Sequence, residues 1–229
     1  MASEKKNIIL IVADDLGLEY VGCYGCKSIK TPNLDRMASS GTKFDMAFCT
    51  TASCSGSRSS MYTGIFTHQN GQYGLNQMKT HFQTFGHIDT IPKLFNHAGY
   101  QTGIIGKVHV GTDDVYPWQI KEESGTRDVA WIADRCEAFF ENSKDANKPF
   151  NLTIGYVDPH RDIKTRGEFG NRKEQYGDRV PGTEFKREDV DTPAWISDLP
   201  ETRQEFAEYY RAITRVDAGV GLIFEALER

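Results

Sequence analysis

Asn7-Ile8-Ile9-Leu10-Ile11-Val12-Ala13-Asp14-Asp15 is the stretch that sets the fold class. An unbroken apolar run is followed at once by two carboxylates. A strand apolar on both faces belongs in a parallel sheet that is covered on either side. The run therefore predicts a central parallel strand over residues 7–13. Ligands of open parallel sheets gather beyond the carboxyl ends of the strands, and Asp14 and Asp15 fall there. Adjacent carboxylates repel each other. A hard divalent cation, which prefers oxygen ligands, would offset that repulsion. A solvated turn built on Asp14-Asp15-Leu16-Gly17 is the plainer reading.

Outward from this stretch, the same pattern returns. Residues 101–106 and 150–157 are further apolar runs, and Phe44 to Cys49 reads as a short strand. Between them lie helix signals. Thr31-Pro32 opens a helix closed by Gly41, Thr90-Ile91-Pro92 opens one closed by Gly99, and residues 126–141 repeat apolar side chains at helical spacing. Glu201 to Leu227 predicts a long amphipathic helix whose apolar face holds Phe206, Tyr209, Tyr210, Ile213, Val216, Val220 and Ile223. Strands alternating with helices imply an α/β fold, a mainly parallel sheet flanked by helices on both faces. Residues 161–199 are polar and rich in Gly and Pro, and read as an irregular insertion or lid.

Polar groups cluster where the strands end. The second cluster is Cys54-Ser55-Gly56-Ser57-Arg58, which leads to Tyr62-Thr63-Gly64. A helix starting near Ser55 would put the Cys54 thiol at an anion-favouring N-terminus, with Arg58 one turn on. The third is Lys107 and His109, which share a face if the backbone there stays extended. The fourth is His160 with Arg161. Taken alone, Lys107 and His109 each read more readily as surface residues, and Cys54 reads as readily as a buried free cysteine on a surface helix. His68-Gln69-Asn70-Gly71 lies in a glycine-punctuated loop that reads as recognition or as a plain connector.

Composition narrows the partners. The 229 residues suffice for one sizeable core. A net charge of −5 without a basic run argues against nucleic acid. No stretch is apolar and long enough to span a membrane, and no signal peptide is visible in these residues, so the chain as it stands reads as cytoplasmic, or as periplasmic or lysosomal if a precursor segment is missing. Five cysteines are an odd number. Cys23 and Cys26 form a C-x-x-C with no second pair to complete a zinc site.

Asp14-Asp15, Cys54-x-x-x-Arg58 with Tyr62-Thr63-Gly64, Gly106-Lys107-x-His109 and Pro159-His160 together resemble the type I sulfatases of the alkaline phosphatase superfamily. His68-Gln69-Asn70-Gly71, Val115-Tyr116-Pro117, Asp158-Pro159-His160-Arg161 and Asp217-Ala-Gly-Val-Gly-Leu222 are similar to the branch that acts on N-sulfated glucosamine. The resemblance covers nearly the whole chain and implies an alkaline-phosphatase-like fold.

It also implies a chemistry. Cys54 would be oxidised to formylglycine by a formylglycine-generating enzyme. The hydrated aldehyde would attack sulfur and later expel the sulfate, as a nucleophile that regenerates itself. Asp14, Asp15 and the Cys54-derived group would hold calcium. Arg58 and Lys107 would steady negative charge, His109 would move the diol proton, and His160 would protonate the leaving group. His68 and Arg161 would bind substrate, a sulfated sugar of heparin-like glycans.

Two departures accompany the resemblance. Gly56 stands where the family pattern has proline, and the remaining calcium ligands would lie beyond residue 229. The chain then reads as the N-terminal, C-terminally truncated part of a sulfatase catalytic domain. Two alternatives follow: a phosphonate or phosphate ester hydrolase of the same superfamily, and an inactive fragment that at most binds sulfated sugars.

Overall fold

A computed structural model describes residues 5–77, 79, 81–162, 169–170, 179–180 and 183–229. Its strands are β1 (Ile8–Val12), β2 (Gln101–Gly106), β3 (Ile120–Glu123) and β4 (Phe150–Gly155). Its helices are α1 (Pro32–Ser40), α2 (Cys54–Thr63), α3 (Thr67–Asn70), α4 (Ile91–His97), α5 (Val129–Asp145) and α6 (Pro200–Glu228). The chain divides into two compact units. The first comprises Met1–Val12, Met46–Ser124 and Phe139–Gly155, and the second Ala13–Asp45, Gly125–Ala138 and Tyr156–Arg229.

The first unit holds one four-stranded sheet in the order β1-β4-β2-β3. All three pairings are parallel. Consecutive strand residues face opposite sides, and both sides are covered. Ile104 packs with Tyr62 of α2, Tyr116 and Trp118 on one face. On the other, Gly103 leaves room for Phe139 of α5, whose ring carbon would stand 2.4 Å from a Cβ there. Helices on both faces of a parallel sheet are the architecture expected from the sequence.

Three details differ. β2 and β4 are buried along their whole length and are the central strands. β1 pairs only with β4 among the described residues, and Ile8 is 38% exposed. A two-faced apolar run reports that both faces are covered, not that both edges are paired. Phe44 to Cys49 forms no strand. Its alternating Phe44, Met46 and Phe48 are 68%, 77% and 82% exposed, with no ladder partner among the described residues. Conversely, β3 carries Ile-Lys-Glu-Glu, with side chains alternately part-buried and exposed. Charge on a sheet edge is common, but it hides the strand from a search for apolar runs.

The second unit is built on α6. Tyr210, Ile213 and Ala207 of α6 pack with Tyr20, Ile29 and Val190. Tyr20 meets the rings of Tyr209 and Tyr210 at 5.2 and 5.7 Å. Thr31 occupies the N-cap position of α1 but does not cap it. Its hydroxyl accepts the Gly22 N–H at 2.8 Å and donates to Asp35 at 3.1 Å. Asp217 of α6 does the capping instead. Its carboxylate accepts the Asn33 and Leu34 N–H groups at 3.1 and 2.9 Å and the Asn33 amide at 3.0 Å. Those N–H groups have no partner within the helix, and a carboxylate also suits the helix dipole. The expected lid over 161–199 lies largely outside the described residues. Its described part includes a 3₁₀ turn at Arg187–Asp189.

Candidate active site

β1, β4 and β2 end level with one another. Val12 and Gly106 are both register partners of Gly155. The predicted site residues follow these ends by a few positions, with Asp14 after Val12, Lys107 after Gly106, and Asp158-Pro159-His160 after Gly155. Main chain packs tightly at this edge. A Cβ on Gly106, whose φ is +90°, would lie 2.3 Å from the Gly155 oxygen, and one on Gly155 would lie 2.2 Å from the Lys107 oxygen. Cys54 does not follow a strand end as expected, because no strand precedes it.

In the first unit, Cys54 is the first residue of α2, and Gly64 ends that helix with φ +73°. The helix is buried through small residues (Ser55, Gly56, Ser59, Ser60). Arg58 is 1% exposed, and its Nη1 donates to the Lys107 carbonyl at 3.0 Å. Lys107 is itself buried, and its N–H donates to Gly155 at 2.7 Å. The extended backbone expected through Lys107 and His109 is absent. β2 stops at Gly106 and His109 has φ +56°, so the two side chains do not follow strand alternation. The 68–76 loop is tied to α2. The Asn70 amide donates to Ser59 Oγ and Thr63 Oγ1, each at 3.2 Å, and Ser55 Oγ accepts the Asn76 N–H at 3.0 Å. His68 is exposed and stacks on Phe66.

Gly56 is crowded. A Cβ there would meet Thr51 Cγ2 at 2.7 Å and Thr67 Cγ2 at 3.3 Å. The third helical position tolerates proline in the backbone, because its N–H needs no helical acceptor. The obstacle is the two threonine methyl groups.

In the second unit, Asp14 is buried and its N–H donates to the Asp158 carbonyl at 3.1 Å. Asp15 has φ +64°. Its carbonyl accepts the Tyr209 hydroxyl at 2.7 Å, and that hydroxyl accepts the Gly17 N–H at 3.0 Å. Burial pushes the Tyr209 phenol up to about 12, so it remains a neutral donor. Asp158 is 1% exposed between two arginines. Arg127 bonds one carboxylate oxygen and Arg215 the other, the latter at 2.6 Å. Arg127 also donates to the His160 carbonyl at 2.7 Å. His160 Nδ1 lies 2.6 Å from the Arg161 carbonyl, an acceptor, so Nδ1 carries the proton and Nε2 is left for exchange. Nε2 stands 3.7 Å from the Asp15 carboxylate. Arg161 pairs with Glu205 at 2.9 Å on the surface.

The sequence reading missed Tyr209 as the anchor of Asp15, and Arg127 and Arg215 as the holders of Asp158. Tyr209 reads as one more aromatic of a helix face, and the arginines lie 31 and 57 residues from Asp158. Cys23 belongs to the 3₁₀ turn Gly22–Tyr24, and burial pushes its thiol up, away from the reactive thiolate.

Asp14 and Asp15 supply hard oxygen donors, one of them buried, which suits calcium. A thiol at Cys54 is too soft for that ion, whereas an oxygen in its place would match it.

The Sulfatase family profile matches residues 6–229. Human N-sulphoglucosamine sulphohydrolase is 36% identical over 97% of this chain and 47% of its own length. An N-acetylglucosamine-6-O-sulfatase of Bacteroides thetaiotaomicron is 35% identical over 69% of this chain and 31% of its own. The crystal structure of Ps i-CgsB superposes with a TM-score of 0.71 at 25% identity, covering 98% of this chain and 55% of that one. The chain thus spans about half the length, or less, of these relatives. No helix among the described residues is long and apolar enough to cross a membrane.

Proposed function

Because this chain belongs to the Sulfatase family, we propose that it carries catalytic residues of a hydrolase of sulfate esters or sulfamates, with N-sulfated glucosamine of heparin-like glycans as substrate. The observation that carries the reading is the likeness to N-sulphoglucosamine sulphohydrolase over 97% of the chain. Cys54 heading a helix, with Arg58 one turn on, supports it.

A formylglycine-generating enzyme would convert Cys54, and the aldehyde would supply a hydrated nucleophile. Asp14, Asp15 and the oxygen on residue 54 would hold calcium, whose charge would offset that of the sulfate. Arg58, fixed by the Lys107 carbonyl, holds its cation in one orientation beside the start of α2. Lys107 adds a positive charge for the sulfate, and His109 takes the nucleophile's proton. His160 presents Nε2 as the atom that gives a proton to the leaving nitrogen or oxygen. His68 and Arg161 are proposed to contact the sugar.

The test co-expresses the chain with the generating enzyme, follows the aldehyde at Cys54 by mass spectrometry, and measures turnover of N-sulfoglucosamine against matched aryl sulfate and aryl phosphate. Release of sulfate from N-sulfoglucosamine supports the reading. Faster turnover of the phosphate would move it to the phosphate or phosphonate ester hydrolases. A second reading, an inert chain that only binds sulfated sugars, is favoured by one observation, the crowded glycine at position 56. It predicts unmodified Cys54 and no turnover.

A further inference from the structure

The two arginines that close in on Asp158 in the second unit are alike at one end and different at the other. Arg127 and Arg215 are 9% and 4% exposed. Each guanidinium takes one carboxylate oxygen of Asp158 and one main-chain carbonyl. For Arg215 that carbonyl is Phe169, at 2.8 Å, and for Arg127 it is His160, at 2.7 Å. Arg127 is itself fixed beside the start of α5, where Asp128 Oδ1 accepts the Ala130 and Trp131 N–H groups at 3.0 Å each. A buried ion pair is weak ground for stability, since apolar side chains of similar volume often serve as well. Two buried cations on one carboxylate are weaker ground still. What the set adds is geometry, because the planar fork of an arginine fixes two acceptors at once.

We infer that Arg127 is a positioning residue for His160: it ties the main chain of His160 to the buried Asp158 and so fixes where Nε2 stands. The inference rests on the proposed role of His160 as the acid. His160 is held through its N–H, its carbonyl and its ring. The N–H donates to the Val157 carbonyl at 3.0 Å, the carbonyl accepts Arg127, and ring Nδ1 donates to the Arg161 carbonyl at 2.6 Å. In the proposed step an oxygen on residue 54 forms the new S–O bond and gives its proton to His109. The S–N bond breaks with its electron pair on nitrogen, and that nitrogen takes the Nε2 proton. His160 ends neutral, with Nδ1 still protonated. A proton donor acts only within hydrogen-bond reach, and a misplacement of about 1 Å can cost about 10²-fold. Arg215 makes the same ion pair and bonds the Phe169 carbonyl instead, so the two arginines separate positioning from folding.

The experiment compares Arg127→Lys with Arg215→Lys in the 229-residue chain co-expressed with the generating enzyme. Lysine keeps the charge beside Asp158, and with it the fold, but cannot bridge two acceptors as the guanidinium does. One readout is the ring Nδ1 proton of His160, followed by NMR with isotope-labelled histidines and assigned among the six through His160→Gln. The other is the ratio of turnover on N-sulfoglucosamine, whose nitrogen must gain a proton, to turnover on a nitrophenyl sulfate, whose phenolate leaves without one. The expected result is a protected ring proton in the parent chain that is lost in Arg127→Lys. The ratio should fall about tenfold or more in Arg127→Lys and less than about threefold in Arg215→Lys, which keeps the ring proton. Equal changes in the two variants would make Arg127 a folding residue only and overturn the inference. So would a lost ring proton with an unchanged ratio. Sulfate release with the ring proton untouched by Arg127→Lys would overturn the positioning alone. A ring proton that depends on Arg127 in a chain that releases no sulfate would overturn the sulfatase reading and leave Arg127 as the holder of His160.

Discussion

Two helices of this chain begin in opposite ways. The start of α1 is closed by the Asp217 carboxylate, which takes two backbone N–H groups and an asparagine amide. At the start of α2, Ser53 makes no side-chain capping bond, and the first residue is Cys54. Both helix starts carry the same partial positive charge. α1 uses it to bind a buried carboxylate of its own chain. α2 keeps it beside a thiol and a fixed arginine. A helix start can therefore serve stability, as at α1, or, on the proposed reading of Cys54, chemistry, as at α2.

On the proposed reading of Cys54 as the nucleophile, removing it should have the largest effect. Cys54→Ala should lower sulfate release by about 10³-fold or more, because the covalent step has no substitute, while the thermal midpoint stays within a degree or two. A marked drop in the midpoint would mean that Cys54 is a packing residue and that the two helix ends are alike.

Removing the anion at the closed end should act on folding. Asp217→Ala leaves the two N–H groups of α1 without their acceptor and should cost about 2–3 kcal/mol in urea unfolding. A loss below about 0.5 kcal/mol would show that water caps α1 equally well.

A smaller change tests the crowding behind Cys54. Gly56→Ala should cost about 1–2 kcal/mol through contact with the Thr51 methyl group. Thr51→Ser, which removes that methyl, should recover most of it. Failure of the second change to recover stability would place the strain elsewhere. Gly56→Pro combined with Thr51→Ser should be converted at Cys54 more fully than Gly56→Pro alone.

The smallest effect is a pH slope. Burial raises the Asp217 carboxyl above its ordinary value, against the opposing pull of its hydrogen bonds. The folded state then holds the proton more tightly than the unfolded state. Its contribution is complete below the unfolded value near 3.9 and is lost as pH rises through the folded one. In Asp217→Asn that slope over mildly acidic pH should vanish. An unchanged slope would assign it to other carboxylates.

These effects also mark what was legible in the sequence. β2 and β4 were readable because a buried parallel strand is apolar throughout. β3 was not, since Ile120-Lys-Glu-Glu pairs at an edge where charge is tolerated. Phe44, Met46 and Phe48 showed the alternation of a strand without a neighbour to pair with. Cys54, Arg58, Lys107, His109 and the Asp14-Asp15 pair stood out as chemistry-bearing types near strand and helix ends. Asp217, Tyr209, Arg127 and Arg215 were invisible as supports, because a supporting bond depends on which distant segment arrives beside it. The mainly parallel fold was thus in the local pattern, and the bracing of the site was not.

The cap on α1 has a consequence in time. Asn33 and Asp217 are separated by 184 residues. At about 5–20 residues per second, Asp217 leaves the ribosome roughly 10–40 s after Asn33. During that interval α1, a nine-residue helix, must rely on its own weak propensity, since isolated helices this short are marginal in water. The start of α1 is therefore available to a chaperone or a protease throughout synthesis of the intervening chain, and it closes only when α6 emerges.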